Sequence, residues 1–203
     1  VDDRERPEFP PVRNRRSEVD RLSGGRLGYV HFHSMNDASY RTVIEEVLGL
    51  SPDKDALIVD TRFNGGGNLH DTLADFLSGK KVFDILPRGQ LVGYEPYNKW
   101  IKPSIVLMGE CNYSDAHLFP VEYKIRGLGQ TLGMPVPGTG TFVWWESQID
   151  PTLRFGIPQG GWRTPDGKLC ENNQLEPDIL VKNDPDVMSA GRDMQIEAAV
   201  KEL

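Results

Sequence analysis

Residues 104–117 read SIVLMGECNYSDAH and hold the clearest structural signal in the chain. The apolar run at 104–108 predicts a buried strand, and the apolar positions between 118 and 125 predict a helix after it. Ser114 lies at the turn between the two, where a hydroxyl meets the first free N–H groups of a helix. Nucleophiles are often placed at such turns. Serine is also a favoured N-cap residue, and on local evidence alone the cap is the better interpretation.

The same alternation of strand and helix precedes this stretch. Residues 28–33 alternate so that Val30 and Phe32 share one face of a strand. An apolar stripe between residues 40 and 48 predicts a helix that ends at Gly49. The run 56–60 is apolar almost throughout, as expected for a strand covered on both faces. Together these segments predict a right-handed βαβ unit and an α/β fold with a mostly parallel sheet.

A glycine-rich loop follows the second of these strands. Residues 60–68 read DTRFNGGGN, and a helix is predicted from about Asn68. Consecutive glycines let backbone N–H groups approach a ligand closely, so the loop can bind a phosphate or an oxyanion. The spacing of a dinucleotide-binding loop is absent, as is the P-loop lysine. A flexible turn without a ligand is the alternative.

Composition excludes several classes of protein. The 203 residues are 38% hydrophobic and 26% charged, with a net charge of −7, which argues against nucleic acid or an anionic membrane as a partner. No apolar run can span a bilayer, and no signal peptide opens the chain. Cys111 and Cys170 fit a cytoplasmic location without excluding a periplasmic one. His31 and His33 lack a third ligand, so no metal site is predicted.

Residues 1–25 are expected to be an extended or helical lead-in from an upstream domain. They are charged and proline-containing, and residues 13–22 can form a short helix that ends at Gly24-Gly25. An opening of this kind suggests a segment of a longer protein, and the absence of an initial methionine is compatible with that expectation. Residues 26–203 are expected to form the folded core.

For three other segments the sequence predicts only the type of secondary structure and its general surroundings. Residues 80–97 are expected to form a strand and a loop beside a substrate groove. The aromatic run 142–145 predicts a strand with a large aromatic surface, which more often packs into the protein than serves as a platform for a ligand. Residues 193–203 predict a closing helix.

The glycine loop and the serine turn together resemble one family. The stretch LIVDTRFNGGG at 57–67, followed by NYSD at 112–115, is similar to the tail-specific and tricorn-type serine peptidases. The resemblance extends from about residue 25 to the C-terminus. It implies a crotonase/Clp-protease-like superhelix of ββα units that hydrolyses peptide bonds without a metal or cofactor. Its partner would be a peptide or an unfolded protein.

The resemblance also implies roles for individual residues. Ser114 matches the nucleophile of the family. Asp115 and Gly67 match the two residues whose backbone N–H groups form the oxyanion hole. Glu171 matches a glutamate that orients the catalytic histidine, although an exposed loop acid is its local interpretation. These groups suit acyl transfer, since two convergent N–H donors stabilise a tetrahedral oxyanion.

The resemblance also implies a position that selects the substrate. Tricorn-type enzymes carry an acid that selects basic side chains next to the cleaved bond. Ile85 aligns with that acid and Asp84 is adjacent to it, so basic specificity stays open. Both residues are candidates for substrate binding.

The general base is not evident within the chain. Tail-specific peptidases use a lysine in a G-K-G turn, but residues 137–141 read PGTGT, with threonine in its place. Tricorn-type enzymes use a histidine from an earlier segment. His117 lies one turn after Ser114, a poor geometry for proton transfer, and His70 starts another helix. We therefore expect an upstream domain or a neighbouring subunit, as in a homo-oligomer, to supply the histidine.

Two other functions stay open on the sequence. Retinoid-binding proteins of the eye resemble the same fold, so the chain can be a non-catalytic ligand- or peptide-binding module. A crotonase-like acyl-CoA enzyme would use two oxyanion N–H groups and no serine. Ser114 and Glu171 favour the peptidase over both.

Overall fold

A computed structural model describes residues 12–203 of the protein. Within this range, the elements follow each other along the chain as α1 (Val12–Ser23), β1 (Leu27–His31), α2 (Asp37–Leu50), β2 (Ala56–Asp60), α3 (His70–Leu77), β3 (Phe83–Ile85), a 3-10 turn (Pro87–Gly89), β4 (Gly93–Glu95), β5 (Ser104–Met108), α4 (Asp115–Ile125), β6 (Gln130–Gly133), β7 (Thr141–Ser147), β8 (Arg154–Gly161), β9 (Ile179–Leu180), α5 (Pro185–Ser189) and α6 (Met194–Glu202).

Five strands form a parallel sheet in the spatial order β1, β2, β5, β6, β9. Val30 of β1 pairs with Val59 of β2, which pairs in turn with Val106 of β5. β2 and β5 are buried along their whole length. The predicted α/β fold with a mostly parallel sheet is confirmed.

The first βαβ unit agrees closely with its sequence pattern. Helix α2 begins after Asn36, whose side-chain oxygen accepts the backbone N–H of Ser39 at 2.9 Å. An N-cap of this kind typically stabilises a helix by about 1 kcal/mol. Val43 and Val47 then form the buried stripe of the helix. The spacing of the apolar residues at 40–48 therefore predicts correctly which face of α2 packs on the sheet.

Two apolar clusters lie on opposite faces of the sheet. Val30, Val59 and Val106 point to the side of α2, α3 and α4. Their strand neighbours point to the opposite side, where they meet α1 and α6. Val19 of α1 is fully buried in this second cluster. The part of the predicted lead-in that begins at residue 12 is therefore a helix packed on the sheet, and residues 1–11 lie outside the described residues.

Two antiparallel hairpins extend from this body. β3 pairs with β4, and β7 pairs with β8. On β7, about half of the surface of Phe142, Trp144 and Trp145 is exposed. The prediction that this aromatic run packs into the protein is wrong, because β7 and β8 form a separate two-stranded sheet. None of the helices in residues 12–203 is long and apolar enough to cross a bilayer.

The carboxyl ends of β1, β2 and β5 meet at one edge of the parallel sheet. The loops that follow these strands therefore lie next to each other. In open α/β sheets this edge is where ligands bind. Both the glycine-rich loop after β2 and the serine turn after β5 emerge at this edge.

Candidate active site

Ser114 holds a strained backbone conformation at the turn between β5 and α4. Its φ is +55° and its ψ is −121°. Positive φ is uncommon outside glycine, and such strain concentrates at functional sites. The Ser114 side chain makes no capping hydrogen bond to α4. The interpretation of Ser114 as a helix cap thus loses its support, and the sharp turn resembles the strained elbow that presents a nucleophilic serine.

The glycine-rich loop packs closely against Ser114. Gly66 has φ +93°, and a methyl group added there would lie 2.6 Å from the Tyr113 carbonyl oxygen and 2.8 Å from Ser114 Cβ. The same methyl carbon would lie 3.0 Å from the backbone nitrogen of Asp115. Only glycine fits a site with both this close approach and this φ. The two stretches that the sequence singled out are thus in direct contact.

Asn64 holds the loop in place and is fully buried. Its side-chain nitrogen donates to the Phe32 carbonyl at 2.7 Å, and its side-chain oxygen accepts the Gly66 N–H at 2.8 Å. Its own carbonyl accepts the Tyr113 N–H at 3.0 Å. Sequence reasoning assigned Asn64 no role, although an asparagine before a glycine run is a turn-forming signal.

The backbone N–H groups of Gly67 and Asp115 have no acceptor among residues 14–203. Around Gly67, Met35 donates to the Gly66 carbonyl at 3.1 Å and accepts from Asn68 at 2.9 Å, which leaves the Gly67 N–H unused. Asp115 is the first residue of α4, so its N–H has no partner within the helix. Two unused donors therefore flank the glycine that contacts Ser114.

The side chain of Asp115 binds the start of helix α3, a contact that the sequence did not reveal. One carboxylate oxygen accepts the backbone N–H groups of Leu69 and His70, at 2.6 and 3.0 Å, and so caps α3. The other accepts a hydrogen bond from His70 Nδ1, which raises the pKa of His70 although burial opposes the shift. His70 Nε2 lies 3.9 Å from Glu122 Oε2. Its polar contacts are with these carboxylates rather than with the Ser114 hydroxyl.

His117 is buried beneath the turn. Its Nδ1 accepts the Thr139 N–H at 3.4 Å, which places the proton of the neutral ring on Nε2. Nε2 has no partner in the described part of the chain. Burial lowers the pKa of His117, while the charge of Glu171 acts in the opposite direction. Neither ring nitrogen forms a hydrogen bond with the Ser114 side chain.

The segment 138–141 connects Ser114 to Glu171. The Thr139 hydroxyl oxygen accepts the Ser114 N–H at 2.8 Å. Two residues later, the Thr141 hydroxyl donates to Glu171 Oε2 at 2.7 Å. Ser114 and the half-buried Glu171 therefore contact the same short segment, and no hydrogen bond joins them directly.

Asp84 and Ile85 lie apart from these contacts, on the hairpin β3–β4. The Asp84 carboxylate pairs with Lys81 Nζ at 3.0 Å, and both side chains are exposed. Ile85 is 39% exposed. Among the described residues, the polar contacts of Asp84 stay within this hairpin segment.

His31, the last residue of β1, and His33 lie next to each other. The rings of His31 and His33 are 5.6 Å apart, and His31 Nε2 lies 3.2 Å from the Arg62 carbonyl oxygen. Burial lowers the pKa of His31. Residues 14–203 contain no group of three or more histidine, cysteine, aspartate or glutamate side chains that could hold a metal ion.

The fold and the site define a class: α/β proteins that present a serine at a strained strand-to-helix turn beside unused backbone N–H groups. The model of peptidase family S41 matches residues 26–181. The chain therefore belongs to that family, and the resemblance seen in the sequence is confirmed.

Curated relatives agree with this assignment, and solved structures share the fold. The chain is 29% identical over 192 residues to tricorn protease homolog 1 of Streptomyces coelicolor and 30% identical over 198 residues to the tricorn protease of Thermoplasma acidophilum. These matches cover 93% and 95% of this chain but 18% of each relative. A crystal structure of the tricorn protease aligns with TM-score 0.83 and 26% identity, over 94% of this chain and 19% of that one. The photosystem II D1 C-terminal processing protease aligns with TM-score 0.60 and 20% identity, over 77% of this chain and 42% of that one.

Proposed function

We propose that this chain is the nucleophile-bearing core of a serine peptidase that cleaves peptides or unfolded protein segments. The observation that carries the proposal is the strained backbone of Ser114, with φ +55°, beside the unused N–H groups of Gly67 and Asp115. Membership of peptidase family S41 supports the same reaction.

In the proposed reaction, Ser114 Oγ attacks the carbonyl carbon of the scissile bond as a base removes its proton. The carbonyl oxygen becomes an oxyanion that accepts hydrogen bonds from the N–H groups of Gly67 and Asp115. One such donor typically contributes about 3 kcal/mol to transition-state stabilisation. The tetrahedral intermediate collapses as the leaving amine takes the proton, and water then hydrolyses the ester on Ser114.

We infer that the base comes from outside residues 14–203. The rings of His70 and His117 are engaged with Asp115 and Thr139, and neither forms a hydrogen bond with Ser114. Glu171 is the proposed carboxylate that would orient an incoming imidazole and stabilise the imidazolium. An upstream domain or a neighbouring subunit is the proposed source. The chain spans 18% of the length of its curated tricorn relatives.

The hairpin β3–β4 is the proposed contact with substrate side chains. Asp84 is already paired with Lys81, and Ile85 offers an apolar surface. Selection of apolar residues is therefore supported at least as well as selection of basic ones. For the fold, the crotonase/Clp-protease-like superhelix that the resemblance implies stays a proposal, supported by the parallel sheet with helices on both faces.

Peptide hydrolysis by the complete protein tests the proposal. The variant Ser114→Ala should lower kcat by about a thousandfold or more, since removing the nucleophile leaves only residual catalysis. The variant Ser189→Ala, an exposed serine on α5, should act as the wild type does. Residues 1–203 alone should be slower by about 10²–10⁴, the usual contribution of a general base.

Two outcomes would contradict the proposal. Equal activity of the complete protein and the isolated chain would mean that the base lies within residues 1–203. A complete protein that binds peptides but shows no hydrolysis that depends on Ser114 would favour the binding module instead.

A further inference from the structure

Thr139 contacts two functional elements at once. Its hydroxyl oxygen accepts the Ser114 N–H at 2.8 Å, and its own N–H donates to the buried ring of His117 at 3.4 Å. The residue is half-buried, in the turn between β6 and β7. The Thr139 side chain thus holds the backbone of Ser114, while the Thr139 backbone is held by the ring of His117.

The turn that carries Thr139 is itself tightly packed. Methyl groups added at Gly138 and Gly140 would lie 2.3 Å from the Asn173 nitrogen and 2.4 Å from Cys170 Cβ. The Gly138 carbonyl also accepts the Asn172 N–H at 3.0 Å. The residues on both sides of Thr139 therefore have little freedom to move, so the position of its hydroxyl is well defined.

We propose that Thr139 is the positioning residue of Ser114. Its hydroxyl holds the Ser114 amide, and with it the backbone at φ +55°. It also removes the Ser114 N–H from the donors that an oxyanion can reach, so the oxyanion hole consists of Gly67 and Asp115. The catalytic part of this inference depends on the proposed role of Ser114 as the nucleophile.

The physical reason is the strength of a backbone donor. A backbone N–H shielded from water must find an acceptor, and leaving it without one is costly. Without the Thr139 hydroxyl, the Ser114 amide would turn towards another acceptor, including the substrate carbonyl, and the Oγ would move with it. Displacements of about 1 Å at a reacting atom can slow catalysis by about a hundredfold.

Hydrogen exchange of the Ser114 amide in the 203-residue chain tests the contact without any need for activity. We expect Thr139→Val, which removes the hydroxyl and keeps the shape, to speed this exchange by about tenfold or more, because the amide loses its hydrogen bond. Thr139→Ser should stay close to the wild type. The matched control is Thr141→Val, whose hydroxyl contacts Glu171 instead, and it should leave the Ser114 amide protected.

The proposal is overturned if the Ser114 amide is unprotected in the wild type, or if Thr139→Val and the wild type exchange at the same rate. The wild-type measurement decides the question even if the valine variant fails to fold.

Kinetics of the complete protein test the catalytic consequence. Thr139→Val should lower kcat by about tenfold or more and leave KM within about twofold, because the loss falls on the transition state. Thr139→Ser should restore kcat. A positioning role would be overturned if Thr139→Val and the wild type had equal kcat values. It would also be overturned if Thr139→Ser were as slow as Thr139→Val. If the wild type shows no hydrolysis that depends on Ser114, the proposed function fails, while the exchange experiment still decides the contact.

Discussion

At the scale of single residues, the neighbours of Ser114 hold it in a conformation that serine rarely adopts. Gly66 lies against its Cβ, and Thr139 binds its amide. Strain of this kind costs on the order of 1–3 kcal/mol and persists only where the surroundings impose it. The glycine-rich loop is therefore a packing requirement of the serine turn as well as a source of N–H donors.

Substitution of neighbouring glycines tests this requirement. Gly66→Ala should lower the free energy of unfolding by about 2 kcal/mol or more, since it combines a positive φ with contact against backbone atoms that cannot move aside. Gly65→Ala is the matched control, because an added methyl there meets nothing within 4 Å and the change should stay within about 0.5 kcal/mol. Urea unfolding measures both. Equal losses in the two variants would contradict the packing that we describe.

The pair of His70 and Asp115 predicts a pH-dependent contribution to stability. The hydrogen bond to Asp115 raises the pKa of His70 in the folded state above its ordinary value of 6.5. The stabilisation is therefore fully present below pH 6.5 and disappears as the pH rises through the folded-state pKa. His70→Ala should cost more unfolding free energy at about pH 5.5 than at about pH 9.

A double-mutant cycle isolates this effect. In an Asp115→Asn background, the pH dependence of the His70→Ala cost should become smaller, because the largest cause of the raised pKa is gone while Glu122 still lies 3.9 Å from the ring. A cost that stays constant across the pH range in the wild-type background would show that the pair contributes no titratable stability.

Sequence reasoning reached some residues of this site and missed others. The resemblance proposed Ser114 and Gly67 as site residues from short motifs that can be read along the chain. Asn64 and Thr139 act through contacts with residues 32 and 25 positions away. A polar side chain that bonds to distant backbone leaves no local pattern, so only the folded structure reveals it.

At the scale of elements, strand prediction succeeded where burial dictates the residues. β2 and β5 are buried along their whole length and appear in the sequence as continuous apolar runs. No pattern marked β6, β8 or β9. β6 and β9 are short, and β8 contains three glycines and a proline, which are uncommon in strands. The exposed aromatic face of β7 was mistaken for a packed one because composition alone does not show what covers a strand.

A buried ionic network joins β2 to α6. Arg62 donates to both carboxylate oxygens of Asp60, at 2.9 and 2.6 Å, and to Asp193 at 3.1 Å. The Arg62 guanidinium holds the pKa of Asp60 well below its usual range although burial opposes the shift. Asp193 also accepts the N–H groups of Gln195 and Ile196 and so caps α6. The network therefore fixes the closing helix against the end of a central strand.

Removal of the shared arginine tests this connection. Arg62→Met leaves two buried carboxylates short of a cation, and breaking such a pair usually costs about 3–5 kcal/mol. Arg15 stays 3.5 Å from Asp60, so we expect the lower end of that range. The control is Arg192→Met, whose exposed ion pair with Glu197 should contribute far less to the unfolding free energy. Equal losses of unfolding free energy in the two variants would show that the network does not stabilise the fold.

At the scale of the whole molecule, the parallel sheet brings distant segments together. The loops after β2, β5 and β6 supply Gly67, Ser114 and Thr139, and two apolar clusters hold the strands that carry them. The chain thus provides a serine, two free N–H donors and the proposed orienting carboxylate of Glu171. Under the proposed function, a base from outside residues 14–203 completes this set.

Covalent labelling of the complete protein with a fluorophosphonate probe tests whether Ser114 is the nucleophile, because the probe marks the activated nucleophile itself. Mass spectrometry of the digested protein should locate one adduct, on the peptide that contains Ser114. Ser114→Ala should abolish the adduct, and Ser189→Ala should be labelled as the wild type is. An adduct on another residue, or labelling that survives Ser114→Ala, would contradict the assignment of Ser114 as the nucleophile.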